Sequence, residues 1–356
     1  MKLLFVFSTA SGGMVTLNYE RNLALRKKGL ECHFLYFSKG VNLDFECDSH
    51  NYILKTDEEI EKIIKEHKYT AIIVCTDYLF LERLNRLGYS GKVIYEIQGL
   101  GNYQATVRWL EKAEPYVMQY ANAILYPNTT FLNELVKKHF PQINKFSLHN
   151  CIDTNLFTYV DVPLPPKIVV GWVGRLDQNK NWIEFLKIGD SLREMFSNIQ
   201  LWFFHDPTVV SKNEQKKFSA WVQKLNLTEN LIVYENVRRK NMAKYYSMIG
   251  KSGGVVCSTS KLEGFGYSVI EAMSCNCPVL TTRSGGVESF VIHNVTGKLY
   301  HQGNILEFLN EANELINNLE LRQKIITSAN KLIQTSFSPI QYGEHFLDML
   351  RNLDIV

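Results

Sequence analysis

The sequence predicts two consecutive doubly wound α/β domains, and three observations carry that prediction. The chain has 356 residues, long for a single compact core and natural for two. Short continuous apolar runs alternate with amphipathic stretches along its whole length, the pattern of parallel strands covered on both faces. The alternation breaks once, at TYVDVPLPPK (158–167), and then restarts.

The elements follow in order. KLLFVFS (2–8) reads as a first buried strand, with a Gly pair after it at Gly12 and Gly13. Val15 to Lys28 reads as a helix, closed by Gly29. ECHFLYF (31–37) is a second strand. Thr56 and Glu59 form a capping box ahead of EEIEKIIKEH. AIIVC (71–75), KVIYEI (92–97) and AILYP (123–127) continue the strands, with helices between them. Pro163, Pro165 and Pro166 then exclude both helix and inner strand and mark a linker. Beyond it come IVVGWV (168–173), IQLWFF (199–204), LIVY (231–234), GGVVCS (253–258) and CPVL (277–280). Pro339 to Asn352 reads as one closing helix. The expected domains are 1–160 and 161–336, with 337–356 as a terminal helical segment.

Composition narrows the function classes. Hydrophobic residues make up 46% and charged residues 21%, which suits a folded chain rather than a disordered one. The formal charge of +3 lacks the basic excess of a nucleic-acid binder. The apolar part of MKLLFVFSTASGG is too short for a membrane span, and Lys2 is a thin basic flank for a signal peptide. The expected place is the cytoplasm, with association at the inner membrane face left open. Seven cysteines, Cys32, Cys47, Cys75, Cys151, Cys257, Cys275 and Cys277, form no framework. Several lie in apolar runs and read as buried thiols of a reducing compartment. Cys275 and Cys277 have no second pair to complete a tetrahedral zinc site.

Four segments carry candidate chemistry. EGFGYSVIE (263–271) follows a buried strand and opens a helix. Gly264 and Gly266 leave backbone N–H groups at a helix N-terminus, which favours an oxygen-rich partner. With Glu263 and Glu271 these amides suit a polyhydroxylated ligand such as a sugar or ribose. The plainer alternative is a capped helix with two solvent-facing glutamates. VGRLDQNKN (173–181) places Arg175 and Lys180 in a strand-to-helix turn, where two cations would neutralise a diphosphate. Either alone would be an ordinary surface cation. STASGGM (8–14) is a weaker phosphate-type turn, because it lacks the full glycine-rich patterns. TTRSGGVESFV (281–291) brings Gly285, Gly286 and Glu288 ahead of a short helix.

Together these segments resemble a known family. Glu263 and Glu271 match the E-x7-E motif of the retaining nucleotide-sugar glycosyltransferases of family 4, which have the GT-B fold. G-R-L-x-x-x-K at Gly174–Lys180 agrees. So do HNCID at 149–153, GG-x-E at Gly285, Gly286 and Glu288, and N-x-T-G at Asn294–Gly297. The agreement spans nearly the whole second domain. In the first it rests mainly on the Gly12–Gly13 loop.

The resemblance implies two Rossmann-like domains facing a central cleft, the first binding acceptor and the second the nucleotide-sugar donor. It implies a retaining transfer from a nucleotide-diphosphate sugar, a UDP-sugar by family frequency, to a glycan, lipid-linked or protein hydroxyl. Arg175 and Lys180 would hold the diphosphate, and Glu271 the ribose. Glu263, with the amides of Phe265 and Gly266, would hold the transferred sugar. The Gly13 amide would approach the distal phosphate, and the closing helix would cross back to the first domain. No D-x-D motif stands near a strand end, so no metal is expected in the reaction. Where many members carry a histidine, this chain has Gln98, which offers a sugar hydroxyl a hydrogen bond but takes up no charge near neutral pH. An epimerase of the same fold, or a non-catalytic glycan- or partner-binding relative, is the alternative.

Overall fold

The computed structural model describes residues 1–10, 12–39 and 50–356. Ser11 of the STASGGM segment and Cys47 lie outside the described residues. The chain divides into two compact units: residues 1–153 with 336–356, and residues 154–335.

Unit 1 contains β1 (Lys2–Ala10), α1 (Gly12–Arg26), β2 (Glu31–Lys39), β3 (His50–Ile53), α2 (Asp57–His67), β4 (Ala71–Cys75) and α3 (Tyr78–Arg86). It continues with β5 (Lys92–Glu96), α4 (Tyr103–Tyr120), β6 (Ala123–Tyr126), α5 (Thr130–His139) and β7 (Asn144–Ser147). Its strands form one parallel sheet in the order β3-β2-β1-β4-β5-β6-β7. The inner strands are apolar on both faces because both faces are covered. Leu4 and Val6 of β1 join one core cluster with Ile72 and Val74. Leu3 and Phe5 point to the other side and pack with Phe34 and Ile73.

Unit 2 contains β8 (Ile168–Val173), α6 (Trp182–Met195), β9 (Ile199–His205), α7 (Lys212–Lys224), β10 (Leu231–Glu235), α8 (Arg239–Lys251) and β11 (Val255–Ser258). Then come α9 (Tyr267–Ser274), β12 (Val279–Thr282), β13 (Lys298–Tyr300), α10 (Ile305–Asn317) and α11 (Leu319–Leu332). The sheet order is β10-β9-β8-β11-β12-β13, again all parallel. Trp172, Phe185 and Phe203 stack in its core. In both sheets the strand order reverses beside the first strand of the unit. Ligands of open parallel sheets bind beyond the carboxyl ends of the strands at such a reversal.

The last helix, α12 (Pro339–Asn352), belongs to unit 1. Tyr342, Phe346, Met349 and Leu350 complete the cluster around Phe5 and Phe34. The capping box at Thr56 and Glu59 is present at α2. The first helix differs from the sequence reading. It begins at Gly12, not Val15, so Gly12 and Gly13 form its first turn instead of a preceding loop. Gly12 enters at φ +57°, which only a residue without Cβ adopts readily.

Candidate functional site

In unit 2, the loops after β8, β11 and β12 follow neighbouring strands, and hydrogen bonds join them. The Asn179 side chain donates to the Leu262 carbonyl at 2.9 Å, and the Lys261 N–H donates to the Asn179 carbonyl at 2.8 Å. Glu263 N–H donates to Ser284 O at 2.7 Å, and Gly286 N–H donates to Glu263 O at 2.9 Å. Gly286 must be glycine here, since a Cβ would stand 2.3 Å from the Gly264 carbonyl oxygen. Gly266 sits at φ +94°, and a Cβ there would meet Val287 at 2.6 Å. These glycines let the backbone at Glu263–Gly266 fold tightly against its neighbour and turn into α9, whose start has no side-chain cap.

Lys180 and Glu263 meet across the strand reversal. Lys180 Nζ donates to Glu263 Oε1 at 2.5 Å, and Ser260 Oγ donates to the same oxygen at 2.6 Å. Their side chains are 19% and 11% exposed, so the pair is sheltered yet reachable by solvent. Asp177 shapes the loop that presents the lysine. One of its carboxylate oxygens accepts the Lys180 N–H at 2.8 Å, and the other accepts Arg175 Nε at 3.0 Å. Arg175 is mostly exposed and does not share the Glu263 contact.

Glu271 has its own set of partners. Arg239 Nε donates to Oε1 at 3.3 Å, and the Tyr246 hydroxyl donates to Oε2 at 3.2 Å. Burial raises the Glu271 carboxyl above its ordinary range, and the Arg239 charge opposes that rise. Neither glutamate of E-x7-E is therefore a solvent-facing helix residue. Glu288 is different: it is more exposed and accepts the Gly285 N–H at 3.2 Å, so it closes its own turn. In N-x-T-G, Asn294 takes φ +62° and Thr296 ties Phe290 O to Ile292 N, a turn leading into β13.

The unit 1 candidates sit beyond the carboxyl ends of β1 and β5. Gly12 and Gly13 are exposed at the start of α1. Gln98 is buried, and its amide is committed. Its Nε2 donates to Glu96 at 3.1 Å and to Asn150 at 2.9 Å, while its Oε1 accepts from Asn150 at 3.2 Å. Both N–H donors of Gln98 are thus used within the protein, while its Oε1 keeps one acceptor position. Glu96 in turn receives both terminal nitrogens of Arg21 at 2.8 and 2.7 Å. This network braces α1 against the end of β5.

The sequence reading did not find Asp177, Arg239, Tyr246 or Ser260. Asp177 alone left a signal, as a short acidic side chain at a loop-to-helix turn. Arg239 and Tyr246 reach Glu271 from α8 and Ser260 lies on its own loop, and none has a distinctive spacing.

This arrangement presents a cation, two carboxylates and a helix N-terminus at the carboxyl edge of a parallel sheet. Such a set can hold a polyhydroxylated anion. Known proteins agree with the architecture. Residues 162–332 match the family described as glycosyl transferases group 1. An uncharacterised glycosyltransferase of Methanocaldococcus jannaschii is 36% identical over 110 residues, 31% of this chain and 30% of that protein. The chain spans between about a fifth and a third of the first curated relatives it matches, at 30%, 27% and 22% of their lengths. The solved sucrose-phosphate synthase of Thermosynechococcus elongatus superposes with TM-score 0.81 at 16% identity, covering 99% of both chains. HepE of Anabaena in complex with UDP-glucose gives TM-score 0.80 at 17% identity, covering 99% of this chain and 100% of that one. The chain has the two-unit GT-B fold, and its match to the glycosyl transferases group 1 family covers most of unit 2.

Proposed function

We propose that this chain is a retaining, metal-independent glycosyltransferase that moves a hexosyl or N-acetylhexosaminyl group from a UDP-sugar to a hydroxyl acceptor. The acceptor class is a surface glycan, teichoic acid, glycolipid or glycoprotein. The observation that carries the reading is the Lys180–Glu263–Ser260 cluster at the sheet reversal of unit 2. The likeness to HepE, solved with UDP-glucose, supports the donor class. Buried, unbridged cysteines among the described residues fit a reducing compartment, and no described helix is long and apolar enough to cross a membrane.

The mechanism follows from the charges. The donor C1–O bond breaks toward an oxocarbenium-like state while negative charge grows on the leaving diphosphate. A lysine ammonium has three N–H donors, and Glu263 takes one. Lys180 then holds a sugar-side carboxylate and phosphate oxygens together. Arg175 turns from Asp177 to add a second positive charge. Glu263, with the amides of Phe265 and Gly266, orients the transferred sugar, and Gly264 lets the ligand approach the backbone. Glu271 accepts from the ribose hydroxyls, with Arg239 and Tyr246 holding its carboxylate in place. Gly12 and Gly13 offer amides to the distal phosphate. The leaving phosphate oxygen takes the acceptor's proton on the face of attack, which retains the configuration without the paired carboxylates of a glycosidase.

A panel of nucleotide sugars, screened for binding and slow hydrolysis on wild type and Glu271→Gln, tests this. One donor bound and hydrolysed by wild type, and bound more weakly by the variant, supports it. If no nucleotide sugar binds, the proposal fails. Undiminished transfer in EDTA is expected, and loss restored by manganese would contradict the metal-independent mechanism.

A further inference from the structure

The opposite edge of the unit 1 sheet carries a second polar cluster. Glu31 and His33 are two residues apart on β2, so their side chains share one face. Parallel pairing places His50, the first residue of β3, beside His33 in register. His67, the last residue of α2, completes a group of three imidazoles. Its ring centre lies 4.7 Å from that of His33, and the His50 ring centre lies 4.4 Å from it.

We propose that Glu31, His33 and His50 form a binding site for a divalent transition-metal ion of the zinc class, separate from the proposed transfer site. One ligand atom from each of the three lies within 4.8 Å of the others. Glu31 Oε1 and His33 Nε2 are 2.9 Å apart, close to the roughly 3.3 Å that separates neighbouring ligands around a tetrahedral zinc ion. His50 is exposed at a strand start, so a swing of its ring closes the set.

The surroundings resemble those of a metal ligand. His33 is fully buried, and its Nδ1 bonds the Tyr69 hydroxyl at 2.8 Å. Without an ion the Nε2–H donates to Glu31 and Nδ1 accepts from the Tyr69 hydroxyl; ligation moves the proton to Nδ1, which then donates to Tyr69, and frees the Nε2 lone pair for the metal. A second partner of this kind fixes the tautomer and orientation of a ligating histidine. His67 Nε2 is held by the Tyr52 hydroxyl at 2.8 Å, so this ring flanks the site. Two imidazoles and one carboxylate suit zinc, cobalt or nickel rather than calcium or magnesium, which take oxygen ligands. The site lies at the amino ends of β2 and β3, whereas Gly12 and Gln98 follow the carboxyl ends of their strands. The ion would pin the edge strand β3 to β2 and take no part in transfer.

The test uses the full chain, stripped with a chelator and dialysed. Zinc is titrated against a chromophoric competitor, and cobalt by its visible absorption. Wild type should bind one equivalent and melt at a higher temperature with zinc. Tyr69→Phe should weaken binding by roughly 10- to 100-fold. His50→Ala, an exposed change checked for folding by circular dichroism, should abolish both the stoichiometric binding and the zinc-induced rise in Tm. No stoichiometric binding by wild type, or equal binding by His50→Ala, would overturn the site.

Discussion

The Arg21–Glu96 pair at the end of β5 and the Lys180–Glu263 pair beyond β8 and β11 are built differently. In unit 1, Arg21 and Glu96 are 1% and 2% exposed and meet through two parallel hydrogen bonds. Arg21 also lies over the Phe5 ring at 4.7 Å. Burial works against the Arg21 charge, but Glu96 and then Tyr342 oppose it and the pKa rises. In unit 2, Lys180 meets Glu263 through one nitrogen, and both retain some exposure. A planar guanidinium in a bidentate pair is a fixed brace, whereas a lysine ammonium on a flexible stem can divide its donors between partners. The first pair holds architecture, and the second is suited to receive a ligand.

The comparison breaks most visibly at Arg21. Arg21→Met leaves a buried carboxylate unpaired and should cost unit 1 about 3–5 kcal/mol. Faster hydrogen exchange at the β5 amides would report it. The double change Arg21→Met with Glu96→Leu should recover most of the loss, because an apolar pair needs no partner charge.

Lys180→Ala should do the reverse. Its pair keeps some solvent access and Ser260 still donates to Glu263, so stability should fall by less than in Arg21→Met. The transfer barrier should rise by about 3 kcal/mol, on the order of a hundredfold in kcat. Comparable losses of stability in Arg21→Met and Lys180→Ala would erase the distinction drawn here.

Glu271→Gln sharpens the picture further. Burial disfavours the Glu271 charge, so its neutral isostere should leave folding nearly intact. Donor affinity should fall about tenfold, the equivalent of one lost charged hydrogen bond. Calorimetric titration with the donor checks this.

The smallest expected effect is on pH dependence. His149 packs on Phe337 with ring centres 4.5 Å apart, and burial followed by His345 lowers its pKa. Its folded value lies below its unfolded one, so the unfolded chain binds more protons near neutrality. Its contribution is therefore intact above about pH 6.5 and lost as pH falls from there. His149→Gln should flatten that part of the urea-stability profile of unit 1.

What the sequence made legible follows from where its information sits. β1, β4 and β8 are continuous apolar runs because both faces are covered, and α2 announces itself through Thr56 and Glu59. The strands NKFS, KLY and HNYI were invisible, since pairing at or beside a sheet edge, rather than an apolar run, makes them strands. Site residues within one loop could be read from spacing, as with Glu263 and the glycines after it. The pairings between distant segments could not: Lys180 reaches Glu263 across 83 positions, and Arg239 reaches Glu271 across 32. The strand-end position of Gln98 suggests a ligand contact, and its bracing by Glu96 and Asn150 shows only in the structure. The Glu31–His33–His50 cluster depends on strand register, which no local pattern encodes.

The central claim is that the exchangeable pair in unit 2 receives the diphosphate of a nucleotide sugar. Calorimetric titration of UDP and of uridine into wild type and Lys180→Ala tests it most directly. The account predicts that the variant loses affinity for UDP while its affinity for uridine is unchanged. UDP binding equally tight in both proteins, or absent from wild type, would contradict it.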